Sequence, residues 1–152
     1  MNPMQKMSDL QGKFTLRLNK VMELAVEEVL ILNHTYLEPK HILLGLLKEG
    51  EGVAGIILRE NKVFLEDIRT IALSQKGRED FFFQEDKVFS PESELVIDTA
   101  RRWALRFHHN YIGTEHMLLG LYVDPIVTAI LEERGLTYKK APEEVFRRIS
   151  LH

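Results

Sequence analysis

HTYLEPKHILLGLL at 34–47 and HNYIGTEHMLLGLY at 109–122 are one motif written twice. A shift of 75 positions lays His34 on His109, Tyr36 on Tyr111, His41 on His116 and Leu43-Leu44-Gly45-Leu46 on Leu118-Leu119-Gly120-Leu121. Working outward, the same shift carries Phe14 to Phe89, Val21 to Val96 and Ala25 to Ala100. Beyond the motif the offset falls to 73, pairing Ile57-Leu58 with Ile130-Leu131 and Glu60 with Glu133. The second copy is therefore two residues shorter where the first reads Glu49-Gly50-Glu51-Gly52, a difference that belongs in a surface loop. A duplication at this period makes the repeat the unit of architecture.

Each copy reads as four helices. In the first, Leu18, Val21, Met22, Ala25, Val29 and Leu32 recur at the three-and-four spacing of one buried face, which predicts a helix over Thr15 to Leu32 with Lys20, Glu23, Glu27 and Glu28 mainly off that face. Its counterpart opens at Ser90-Pro91, a capping serine followed by a proline whose missing N–H costs nothing in a first turn, and buries Val96, Ala100, Trp103, Ala104 and Phe107. The second helices carry the nearly all-apolar runs from His41 and His116 and are expected to be central. A strand competes for such short runs, but neither copy offers the alternating partners that a buried strand needs. Third helices are predicted over Val53 to Glu60 and Pro125 to Arg134, fourth helices over Leu65 to Leu73 and Lys139 to Ile149. Pro142 falls where copy one has Arg69 in mid-helix, so copy two's last helix should start late enough to hold Pro142 in its first turn. The expectation is an all-α fold of eight helices, with a tail over 1–13, copy one over 14–73, a connector over 74–89 and copy two over 90–149.

Composition bounds the function. The 152 residues carry 20 Lys+Arg against 23 Asp+Glu, a formal net charge of −3 that argues against generic nucleic-acid binding. No apolar run approaches the ~18 residues that span a bilayer, and MNPMQKMSDL at the start lacks the pattern of a secretory signal. The absence of cysteine excludes disulfides, thiolate zinc sites, iron–sulfur clusters and a cysteine nucleophile, and fits a reducing compartment.

The lead-in Tyr111-Ile112-Gly113-Thr114-Glu115-His116 and the Met117-Leu118-Leu119-Gly120-Leu121 that follows resemble the Clp repeat of the N-terminal domain of Clp ATPases. The Lys48-Glu49-Gly50-Glu51-Gly52-Val53-Ala54 loop looks most like the ClpC type. The resemblance runs from about Phe14 to Ile149 and implies two pseudo-two-fold-related four-helix Clp repeats. It implies a non-catalytic module that docks protein substrates, adaptor proteins or Clp ATPase and peptidase subunits, with no cofactor, no nucleic acid and no membrane. The implied compartment is the bacterial cytoplasm, or the plastid stroma for a plant chain. The sequence contains no Walker A loop and no Glu-rich Walker B strand, which leaves two expectations: a stand-alone Clp-repeat protein, or the N-terminal regulatory fragment of a ClpC-type unfoldase. Re-use of the fold for an unrelated ligand is a third.

In the ClpC type each repeat resembles a receptor for phosphorylated arginine, in which the glutamate before the histidine takes the guanidinium and backbone N–H groups at a helix start hold the phosphoryl oxygens. The residues this implies are Ser90, Thr114 and Glu115. Copy one has Lys40 where the carboxylate should stand, which would repel a guanidinium, with Glu38 as a differently placed substitute. Simple stabilisation of a helix start is the competing role for Glu115.

Other candidates weigh less. His108, His109 and His116 cluster, but His41/His116 and His34/His109 recur at equivalent places, as residues bonding locally to backbone do, so no metal is assigned. Phe81-Phe82-Phe83 between acidic residues reads either as a protein-interaction patch or, preferred, as the part of the connector that packs between the halves. Arg101, Arg102 and Arg106, with Arg147 and Arg148, read as a solvated surface rather than a nucleic-acid face. No nucleophile setting or carboxylate pair stands out, and no catalysis is expected.

Overall fold

The computed structural model describes residues 12–75 and 88–149. Copy one supplies α1 (Leu16–Ile31), α2 (Pro39–Glu49), α3 (Val53–Glu60) and α4 (Leu65–Ser74), and copy two supplies α5 (Pro91–Arg106), α6 (Thr114–Gly120), α7 (Pro125–Glu133) and α8 (Lys140–Ile149). The eight α-helices make the described chain all-α, and a 3-10 turn over Leu121–Val123 prolongs α6. Thr15 and Ser90 cap α1 and α5, each hydroxyl accepting the backbone N–H three residues on. α8 begins at Lys140, so Pro142 does lie in its first turn.

The copies are locked by a reciprocal exchange. The chain entering α1 pairs with the loop before α6, through Thr15 N–H donating to the Ile112 carbonyl (3.0 Å) and Ile112 N–H to that of Lys13 (2.8 Å). The chain entering α5 pairs in the same way with the loop before α2, through Ser90 N–H to Leu37 (3.0 Å) and Leu37 N–H to Val88 (2.8 Å). These are the two isolated bridges, Phe14 with Ile112 and Leu37 with Phe89, and they are the same interaction seen from either end of the duplication.

One contiguous core joins both halves, with α2 and α6 at its centre: Ile42, Leu43, Leu44, Met117 and Leu118 are fully buried. The glycine in each Leu-Leu-Gly-Leu run has a steric reason. A Cβ on Gly45 would stand 2.4 Å from the Val21 carbonyl oxygen and one on Gly120 2.5 Å from that of Val96, so α1/α2 and α5/α6 approach more closely than a side chain permits.

Glu28 departs from the expectation for α1. It is fully buried, its carboxylate held by Arg69 of α4 (2.5 Å) and Lys48 of α2 (3.4 Å). The pattern of apolar residues placed it off the buried face, but two cations from later helices neutralise it and allow the burial. Phe81, Phe82 and Phe83 lie outside the described residues.

Candidate functional site

The start of α6 carries the carboxylate singled out in the sequence. Gly113 caps the helix in an extended conformation, and the Glu115 side chain folds back across it, so that a Cβ at 113 would stand 2.0 Å from Glu115 Oε1. Glu115 is 8% exposed and forms no ion pair among the described residues. Burial pushes its carboxyl up from the ordinary value, opposed by its own backbone N–H and by the nearby His109. Thr114 is also buried, and its Oγ1 accepts the Ala54 N–H (3.3 Å), supplying α3 of the other copy with a cap that Gly52 lacks. Arg17 passes alongside: a Cβ on Gly52 would stand 2.6 Å from Thr114 Oγ1 and 2.8 Å from Arg17 Cδ. Glu49 (2.6 Å) and Glu51 (3.5 Å) hold the Arg17 guanidinium. Thr114 and Arg17 thus meet over Gly52, while Glu115, the next residue after Thr114, folds over Gly113.

At the equivalent place in copy one, two charges are inverted and one is added. Lys40 replaces Glu115, Glu38 replaces Gly113 and Glu92 replaces Arg17. Lys40 is 6% exposed, with Nζ 3.7 Å from Glu38 Oε2, so this site holds its own counter-ion. A cleft of about 300 Å³ remains, lined by Glu38, Lys40, Gln75, Glu92 and Asp124 among others.

Ser90 does not join Thr114 and Glu115. It is fully buried; its Oγ accepts the Ser93 N–H (3.1 Å), and Ser93 Oγ donates to the Leu37 carbonyl (2.8 Å), which places both serines against copy one's motif. Beside copy two's motif stands Thr15, whose Oγ1 accepts the Leu18 N–H (3.1 Å). Thr15, Arg17 and Gly52 were missed from the sequence because they belong to the other copy. The visible signal was the 75-residue spacing of Thr15 and Ser90, which marks equivalent caps without saying that they are exchanged.

The histidines form two matched pairs. Glu38 N–H donates to His41 Nδ1 (2.8 Å) and Gly113 N–H to His116 Nδ1 (2.9 Å), while Nε2 of each faces Nδ1 of a second imidazole, His34 at 2.8 Å and His109 at 2.9 Å. A neutral ring that accepts at Nδ1 carries its proton on Nε2, so His41 and His116 donate to His34 and His109. Burial, joined by the partner imidazole, lowers His41 to about 3 and His116 to about 4. His34, Glu38 and His41 have ligand atoms within 4.8 Å of one another. However, His41 could offer Nε2 to a metal only by moving its proton to Nδ1, against the Glu38 N–H, and copy two repeats the pairing with glycine in place of Glu38. The geometry is that of a hydrogen-bonded brace.

Among the arginines, Arg101 and Arg102 both reach Asp98 (3.2 Å each), Arg106 lies 4.4 Å over the Trp103 ring, and Arg147 and Arg148 converge on Glu144. Arg148 also pairs with Glu60 of copy one. No helix among the described residues is long and apolar enough to cross a membrane.

Two interlocked four-helix units with exchanged N-terminal segments define a class of all-α repeat domain, and comparison with known proteins gives it a family. The model of the Clp repeat N-terminal domain matches residues 13–131 and 88–150. The chain belongs to this family. It is 36% identical over 138 residues to the negative regulator of genetic competence ClpC/MecB of Bacillus subtilis (strain 168), covering 90% of this chain and 17% of that protein. It is 34% identical over 139 residues to the chloroplastic chaperone protein ClpC2 of Oryza sativa subsp. japonica, covering 90% of this chain and 15% of that one. The N-terminal domain of the caseinolytic protease associated chaperone ClpD from Arabidopsis thaliana has the same fold, with a TM-score of 0.72 at 19% identity over 91% of this chain and 96% of that one.

Proposed function

We propose that this domain is a non-catalytic binding module of Clp-type machinery, and that copy two captures a guanidinium group on a protein segment, phosphorylated arginine foremost. The observation that carries the reading is Glu115: a buried carboxylate without a cationic partner among the described residues. Removing a carboxylate from water is costly unless a cation pairs with it, and a guanidinium satisfies it with two parallel N–H bonds. Thr114 and Arg17 add a hydroxyl and a cation suited to phosphoryl oxygens. Copy one, with Lys40 already paired to Glu38, takes no guanidinium. The partners are Clp ATPase or peptidase subunits, adaptors or substrates, in the bacterial cytoplasm or the plastid stroma.

A second reading is favoured by the 17% and 15% shares of the relatives that the chain spans: the domain serves as the N-terminal regulatory part of an ATP-dependent unfoldase. Both readings use the same site. Isothermal titration with free phosphoarginine should show one binding event per chain, abolished by Glu115→Ala with the melting temperature nearly unchanged. An unaltered isotherm in that variant overturns the assignment of the site.

A further inference from the structure

A different surface of copy two has the makings of a second binding site. A cleft of about 440 Å³ lies between the C-terminal half of α5 and the loop over 108–112, and among its lining residues are Lys13, Arg101, Leu105, His108 and Tyr111. Among the described residues, no carboxylate lines it. The exchanged segment positions Lys13, since its carbonyl accepts the Ile112 N–H (2.8 Å); the side chain is exposed and has no ion-pair partner among the described residues. Arg101 directs Nε and an Nη at Asp98 Oδ1 (both 3.2 Å), which uses two of its five N–H donors and steadies the guanidinium. The walls are partly apolar: Leu105 is 58% exposed, and the Tyr111 ring stacks on His109 at 4.7 Å.

The internal repeat separates what the fold needs here from what has been added. At the equivalent positions of copy one, Tyr36, Leu37 and His34 keep the chemistry of Tyr111, Ile112 and His109, so these serve the packing. The basic side chains are not kept: Lys13, Arg101 and His108 correspond to Val88, Val26 and Asn33. Copy one folds without a basic residue at these three positions, so Lys13, Arg101 and His108 are dispensable to the architecture. A lysine without an ion-pair partner among the described residues, beside an oriented arginine and an imidazole and against exposed aliphatic and aromatic carbon, complements carboxylates set next to an apolar side chain.

We infer that this cleft binds an acidic segment of a partner protein, with Asp or Glu side chains on Lys13 and Arg101 and an adjacent aliphatic or aromatic residue against Leu105 and Tyr111. A nucleic acid fits less well. It needs a track of many cations along its backbone, whereas this cleft is short and the chain as a whole carries −3. Glu115 does not line this cleft, although it lies near Tyr111 and His109 in the wall, so the two sites are neighbours tested by different ligands.

The test is fluorescence anisotropy of the full chain with a short labelled peptide of alternating Asp and Glu around one Leu. Binding is expected at low salt and should weaken as salt rises. Lys13→Glu, which lies outside any helix, and the double variant Lys13→Glu/Arg101→Glu should each lower affinity, the double by about tenfold or more. Glu115→Ala, which removes a carboxylate near Tyr111, should not lower it. Placing the cations in copy one, Val26→Arg/Val88→Lys, should raise the stoichiometry from one peptide to two. No binding at low salt, unchanged affinity in variants shown to be folded by circular dichroism, or preference for a single-stranded oligonucleotide over the peptide would overturn the inference.

Discussion

At three equivalent positions the two copies solve the same packing problem with opposite chemistry. Copy one buries Glu28 between Arg69 and Lys48. By the same offsets copy two has Trp103, Pro142 and Val123 there, an apolar set of which Trp103 packs against the core. The ligand-type site shows the same trend, with Lys40 and Glu38 satisfying one another in copy one and Glu115 left without a cation among the described residues in copy two. Copy one directs its charges inward, to partners within the fold. At the triad positions copy two has carbon instead, and it leaves Glu115 without a cation among the described residues. A duplicated backbone can differ in this way because replacing a buried ion triad by apolar residues of similar volume is often neutral or stabilising.

The sharpest way to break this comparison is to remove one member of the triad. Arg69→Ala leaves Glu28 buried with only Lys48 at 3.4 Å, and should cost about 3–5 kcal/mol in urea unfolding. Replacing the whole triad with the copy-two set, Glu28→Trp/Lys48→Val/Arg69→Pro, is a poor control because proline would stand in mid-helix. Glu28→Met/Arg69→Met is the better one and should recover most of the loss. A double variant as unstable as Arg69→Ala would show that the charges do more than neutralise one another.

Acid should probe what the copies share. His41 and His116 have folded pKa values of about 3 and about 4, below the unfolded value near 6.5. Because the unfolded chain binds the more protons between these values, their contribution is complete above about pH 6.5 and is lost as pH falls toward 4 and then 3. Each should add up to about 1.4 kcal/mol per pH unit to the slope of unfolding free energy in that window. Glu115, raised by burial, acts in the opposite sense below its folded pKa and softens the fall. His41→Asn and His116→Asn should each flatten the profile, His41 over the wider range; urea midpoints between pH 7 and 4 would show it, and an unchanged slope would remove the neutral brace.

The smallest effect concerns a loop. Lys62 adopts φ 59° where copy two has Gly135 at φ 88°. A left-handed conformation is unfavourable for a residue with a Cβ, partly offset by the greater freedom of glycine when unfolded. Lys62→Gly should therefore stabilise by about 0.5 kcal/mol, visible as a small rise in melting temperature, whereas Gly135→Lys should do the reverse.

Much of the fold was legible in the residues. The 75-residue offset, the helix-spaced apolar stripes, the Ser90-Pro91 and Asp124-Pro125 starts and the placement of Pro142 all lead to the eight observed helices, because each depends on neighbours within a turn or two along the chain. The candidate site was legible only in part. Glu115 stood out against Lys40 because the repeat provides its own reference, but Ser90 was grouped with a motif it does not accompany, and Glu28 was assigned to the surface.

What the sequence alone determined is what local chemistry and duplication encode: helices, caps, an all-α pair of repeats and the inversion of charge between Lys40 and Glu115. Only the tertiary structure decided which copy completes which site. Thr15 reaches the Ile112 loop, Ser90 the Leu37 loop, Thr114 caps a helix 60 residues earlier at Ala54, and Arg69 neutralises Glu28 from 41 residues away. The first three contacts cross between the copies and the fourth joins two helices of copy one; since equivalent residues have the same local sequence logic, nothing in one copy's spacing says whether its partner lies in the same copy or the other.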